Sequence, residues 1–148
     1  MQSFSIAPAG LKSAWLVLMI LIPIVSLLLF TLIGSRAARF EVSPEGLRLR
    51  GDFYGRLIPA DQLQTQAARR VDFTATPALL PKWRTMGTGL PGYQAGWFRL
   101  QNGEKALLYL TDKSRAVYIP TTAGYSLLLS PIAPDEFLSA LRSTVGQR

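Results

Sequence analysis

GWFRLQNGEKALLYL, residues 96–110, is the stretch whose reading decides the fold. Two apolar-rich runs, 96–100 and 105–110, flank Asn102-Gly103, the strongest short-range signal for a β-hairpin. Working downstream, residues 111–115 turn the chain, 116–119 read as a strand and 125–129 as another. Pro131 and Pro134 then lead into residues 135–145, where Phe137, Leu138, Leu141 and Val145 fall on one helical face. Asp135 and Glu136 stand at the start of that helix, where the backbone dipole favours anions.

Working upstream, residues 75–93 hold several prolines and glycines that break any periodicity, which predicts a long irregular loop. Residues 71–74 read as a short strand, and 60–70 suit a loop, a helical turn or an irregular strand. Phe40-Glu41-Val42-Ser43 and Leu47-Arg48-Leu49-Arg50 alternate apolar with polar around Ser43-Pro44-Glu45-Gly46, a type I turn signature, and so predict a first hairpin. Residues 51–55 make the next turn, and 56–58 return as a third strand before Pro59. The pattern is mainly β with a C-terminal α-helix, a meander of about seven strands closed by that helix.

Farthest upstream lies AWLVLMILIPIVSLLLFTLI, residues 14–33, which holds no charged residue. A helix of that length rises about 30 Å at about 1.5 Å per residue, the thickness of a bilayer's hydrocarbon core. The run is longer than the apolar region of a secretory signal, so an uncleaved transmembrane helix is expected. Pro23 is tolerated within such a span, and Trp15 suits its interfacial end. The expected organisation is a tail at 1–13, the span at 14–33 and one domain at 36–148. Arg36, Arg39, Arg48 and Arg50 on the C-terminal side, against Lys12 on the other, place the domain in the cytoplasm. The tether between the span and the first strand is only a few residues long.

Cysteine and histidine are both absent, which removes disulfides, thiolate metal sites, the commonest general base and the commonest metal ligand. The net charge is +7, nearly all of it carried from Arg36 onward. A basic domain beside a bilayer invites contact with anionic headgroups.

With that order of elements in view, the chain resembles the bacterial pleckstrin-homology-like (PH-like) family, in its membrane-anchored members. The resemblance is carried by RFEVSPEGLRLRGDFYGRLIP after the apolar segment, by GTGLPGYQAGWFRLQNGEKALLYLTD, and by VYIPTTAGYSLLLSPIAPDEFLSAL. It implies a PH-like two-sheet β-barrel or sandwich of antiparallel strands, capped by the final helix, that binds rather than catalyses. The final helix lacks the tryptophan common in eukaryotic PH domains, with Phe137 expected in its role. Of the basic loop pattern of phosphoinositide-binding PH domains, only Arg48-x-Arg50 is present.

Candidate contact residues follow from the strand pattern. Arg48 and Arg50 project from the solvent face of one strand, and Arg56 on the next can join them. Lys82-Trp83-Arg84 sets an amphipathic ring between two cations, a combination suited to lipid headgroups. The plainer expectation is that Trp83 folds back over the core. Of the neighbours Trp97 and Phe98, one points inward. Gly87-Thr88-Gly89-Leu90-Pro91-Gly92 matches the dinucleotide pattern of glycines but precedes a strand rather than a helix, so it shapes a loop. Asp52, Asp61, Asp72 and Asp112 are scattered near turns, where aspartate bonds to backbone. No spacing suggests a catalytic pair, and no catalytic, cofactor-binding or metal residue is expected.

The expected function is thus a non-enzymatic, single-pass protein of the bacterial inner membrane whose domain binds a protein partner or assembles with itself. An anionic-lipid-sensing domain is the alternative, and an enzyme of unknown class a remote one. Nucleic acid is not expected as a partner, because nothing suggests a groove-entering element.

Overall fold

The structure, a computed structural model, describes residues 11–145 apart from Asp52. The chain divides into two compact units between Ile33 and Gly34.

The first unit is carried by helix α1, Leu11–Ala37, with Pro23 inside it. It starts before the expected apolar run and continues past it. Its large apolar side chains, including Trp15, Met19, Phe30 and Ile33, are exposed. Among the described residues no helix is long and apolar enough to cross a membrane. The expected span includes Thr31, whose side chain lies outside the described residues. The expected tail lies outside them too, apart from the helical backbone of residues 11–13.

The second unit is mainly β with a C-terminal helix. Strands β1 (Arg39–Ser43), β2 (Gly46–Arg50) and β3 (Leu57–Pro59) form an antiparallel three-stranded sheet. Ser43 pairs with Gly46 across the expected turn at Pro44-Glu45. Of the turn expected at 51–55, Asp52 is outside the described residues. Residues 60–70 resolve into two short 3-10 turns and β4 (Arg69–Arg70). The remaining strands are β5 (Pro81–Leu90), β6 (Tyr93–Leu100), β7 (Lys105–Leu110), β8 (Val117–Pro120) and β9 (Ser126–Leu129), followed by α2 (Pro134–Val145).

Three expectations are corrected. The large sheet is not a meander: its order is β4-β8-β9-β7-β6-β5, and β9 lies parallel to β7. The cause is the composition of β9, whose four residues are all buried. A run without a polar face needs cover on both sides, and the centre of the sheet supplies it. No strand forms at 71–74; residues 73–75 turn instead, because the Asp72 carboxylate accepts the Thr74 backbone N–H at 2.9 Å and the Thr74 hydroxyl. The long loop expected at 75–93 ends in a hairpin of β5 and β6. The glycines that hid it are required by it: Gly87 faces Gly96 across the ladder, and a Cβ on Gly96 would lie 2.5 Å from the Met86 carbonyl oxygen. Pro81 stands at the first position of the edge strand, where a missing N–H is tolerated.

The 96–110 hairpin forms as expected. Leu100 N–H donates to the Glu104 carbonyl at 2.9 Å, and positive φ falls on Gly103 alone in the turn. A main core gathers Leu47, Leu49 and Ile58 with Leu107, Ile119, Leu127 and Leu129, and Leu138 and Leu141 of α2. Each such side chain contributes about 1.5–3 kcal/mol when fully buried. A second core on the other face of the large sheet, built on Phe98, Leu108 and Leu128, is covered by Val71, Phe73 and Leu79 from the chain between β4 and β5. Phe137 packs against Phe40, with ring centroids 6.1 Å apart.

Candidate binding face

Register places one set of side chains together at the β5 end of the large sheet. Trp97 and Arg99 lie on the face of β6 that, through Ala95, enters the main core, and Trp97 packs against that core. Opposite them on β5 stand Met86 and Trp83, and opposite them on β7 stand Leu107 and Lys105. The result is two cross-strand rows, Trp83–Arg99–Lys105 and Met86–Trp97–Leu107. Register shifts between Pro81 and Trp83 and between Arg84 and Met86 put both large β5 side chains on this face.

The rows combine apolar surface with cations. Trp97 is part-buried and packs edge-on against Tyr125 at 4.9 Å. The Lys105 ammonium lies 4.4 Å and the Arg56 guanidinium carbon 4.9 Å from the Trp97 ring centre. Lys82 lies 5.0 Å from the centre of the Trp83 ring. Arg99 donates to the Gly103 carbonyl at 2.8 Å. Trp83 is 52% and Met86 63% exposed, so Trp83 does not cover the core as expected. The ion pairs found among the described residues are Arg50–Glu41, Arg70–Asp135 and Arg115–Asp112, and none belongs to this face.

The other candidate residues are distributed differently. Arg84 pairs with Phe98 on the opposite face of the sheet, so the Lys82-Trp83-Arg84 triplet is divided between the two sides. Arg48 and Arg50 are exposed on the outer face of the small sheet, and Arg50 is held 3.0 Å from Glu41. A shallow hollow of about 340 Å³ is lined by Arg48, Arg50 and Arg56, although the Arg56 head group lies over Trp97. Met86, Arg99 and Lys105 were not singled out from sequence. They come beside Trp97 only through pairing across three strands; the alternation Trp97-x-Arg99 was the one local hint.

A second concavity, about 710 Å³, is an apolar crevice lined in part by Phe40, Tyr93, Tyr109, Ile132 and Phe137. Neither hollow is lined by two described carboxylates. Among the described residues no three metal-ligating side chains converge. Residues 87–92 run from β5 through the turn into β6, with no helix start to receive a phosphate. Asp112 repeats the Asp72 turn, accepting Ser114 N–H at 2.9 Å and its hydroxyl at 2.6 Å. Both carboxyls sit below their ordinary pKa, first because of those hydroxyl bonds. Tyr118 donates to Glu104 at 2.9 Å and 3.1 Å. Burial first, then that carboxylate, pushes its phenol pKa up.

The mainly-β fold with its C-terminal helix is consistent with a PH-like sandwich, and comparison with family models agrees. The model for the bacterial PH domain matches residues 38–145, and the chain belongs to that family. No curated protein and no solved structure gives a significant match. The matched span begins one residue after α1 and ends with α2.

Proposed function

We propose that this chain is a non-enzymatic binding module of the bacterial inner membrane, anchored by residues 14–33, with its PH-like domain cytoplasmic. The membrane assignment rests on the uncharged apolar run and the positive residues that follow it. The binding assignment rests on family membership, since PH-like domains are generally binding scaffolds, and on one observation above all. Trp83 and Met86 stay exposed beside four cations, Arg56, Lys82, Arg99 and Lys105, for which no carboxylate partner is found among the described residues. Exposed apolar side chains set among cations support an interaction surface here.

Such a face favours an anionic partner. Self-assembly through it would set like charges against each other, and the β5 edge is blunted by its irregular register and its Lys82 and Arg84. A protein partner, the leading expectation from the sequence, becomes the second reading, supported by the ten-residue length of that edge. The test is a photo-crosslinking amino acid at Met86 in the full chain in cells, with Thr122 as a control position. Adducts from position 86 well above those from 122 are expected; equal labelling refutes the reading. Tagging the C-terminus and asking whether external protease reaches it checks the topology, and cleavage would refute the cytoplasmic placement.

A further inference from the structure

We infer that the Trp83–Met86–Trp97 face is a membrane-docking edge for anionic phospholipid. In this arrangement Trp83 and Met86 enter the headgroup region, while Arg56, Lys82, Arg99 and Lys105 meet lipid phosphates. The inference rests on the binding-face reading and names its partner.

Charge complementarity carries the assignment. Arg56 and Lys105 lie over Trp97, and Lys82 over Trp83. Contact with an aromatic ring holds a cation in place without neutralising it, and a guanidinium or ammonium keeps N–H donors free for phosphate. The apolar members match the same environment. Tryptophan prefers the membrane interface, where its ring meets acyl carbon and its N–H meets water or a carbonyl. An unbranched methionine adapts to irregular surroundings. An acidic protein would satisfy the charges equally well. Lipid is favoured because Trp83 and Met86 project along an exposed edge strand, where a bilayer can receive them without a matching pocket.

The mechanism is orientation rather than recruitment. A domain already tethered by residues 14–33 needs only weak surface affinity to hold one pose. Each cation near an anionic leaflet contributes roughly a fivefold factor, and the attraction decays within a Debye length.

The experiment uses the full chain in lipid nanodiscs of phosphatidylcholine alone or phosphatidylcholine mixed with phosphatidylglycerol. Trp83 emission is read as the difference between the unmodified chain and Trp83→Phe, with brominated acyl chains as quencher. The expected result is a blue-shifted, quenched Trp83 signal in phosphatidylglycerol discs that is lost in phosphatidylcholine discs and in high salt. Arg99→Ala with Lys105→Ala should lower the docked-to-undocked ratio by roughly 25-fold, at about fivefold per cation, with circular dichroism unchanged. Equal emission in both discs, or no effect of the double variant, overturns the inference. So does a Trp83 shift with polyglutamate but not with phosphatidylglycerol, which assigns the face to an acidic protein. Retention in discs after a carbonate wash without any Trp83 response removes the docking edge and leaves the anchor standing. Release by the wash removes the anchor, and the Trp83 difference is then read on added vesicles of the two compositions by the same criterion.

Discussion

Strands β9 and β5 belong to one sheet and show what position in it does to a sequence. β9 lies between β7 and β8, and all four of its residues are buried. β5 lies at the edge, its ladder interrupted by register shifts, with most of its side chains exposed. The first supplies side chains to both cores, Leu127 and Leu129 to one and Leu128 to the other; the second leaves side chains at the solvent, where the proposed contact lies. The difference teaches that exposure on β5 is not a packing failure, since the same sheet closes completely around β9.

Substitutions can break that contrast, and the largest effect belongs to the centre. Leu128→Ala removes a fully buried side chain from the second core. It is expected to cost about 2–5 kcal/mol, read as loss of thermal stability of the full chain in detergent. A cost below about 1 kcal/mol would mean that the site collapses freely and that β9 is not the central support. Gly96→Ala comes next, because φ at this position is +116° and the added Cβ would press on Met86 backbone. Such a conformation costs a non-glycine residue on the order of 1–3 kcal/mol, and hydrogen exchange should rise selectively in β5 and β6. Uniform exchange across the domain would contradict an independently yielding edge.

Tyr118→Phe removes the hydroxyl that donates to Glu104, for an expected loss of about 0.5–1.5 kcal/mol. The phenol's raised pKa gives this position a sign in alkali. Its contribution is complete below the unfolded-state value of about 10 and disappears as pH rises through the higher folded value. A phenol titrating below 10 by absorbance would contradict the burial. Trp83→Ala, at the exposed edge, should change stability by no more than about 0.5 kcal/mol while abolishing docking. A large stability loss would show that Trp83 is a core residue after all.

The smallest effect lies in the acidic turns. Asp112 is held below its ordinary pKa by the Ser114 hydroxyl and N–H. Its contribution is therefore present above the unfolded-state value of about 3.9 and lost as pH falls through the lower folded value. Ser114→Ala should narrow the stability difference between neutral pH and acid; an unchanged acid limb would rule out this hydrogen bond as its source.

Much of the fold was legible because its signals are local. Asn102-Gly103 between apolar runs, Ser43-Pro44-Glu45-Gly46 and the apolar face of 135–145 each specify geometry through neighbours a few residues away. The fate of residues 81–90 was not legible, since Pro81, Gly87 and Gly89 weaken strand propensity and their justification lies across the ladder, in Gly96 and in an edge that tolerates proline. The insertion of β9 was hidden for a similar reason: the run Leu127-Leu128-Leu129 states that it must be buried but not between which neighbours. Of the candidate site, Arg56, Lys82 and Trp83 were singled out from sequence, whereas Met86, Arg99 and Lys105 were not.

By itself the sequence determined the strand-rich domain, its closing helix, the uncharged apolar segment ahead of it and the lack of histidine and cysteine chemistry. These follow from composition and short-range patterning, which act through backbone preference and hydrophobic period. The tertiary structure alone decided which side of a strand meets which neighbour. Cross-strand register and two irregularities in β5 bring Trp83, Met86, Trp97, Arg99 and Lys105 onto one face, and that placement depends on pairings between strands that no local pattern encodes.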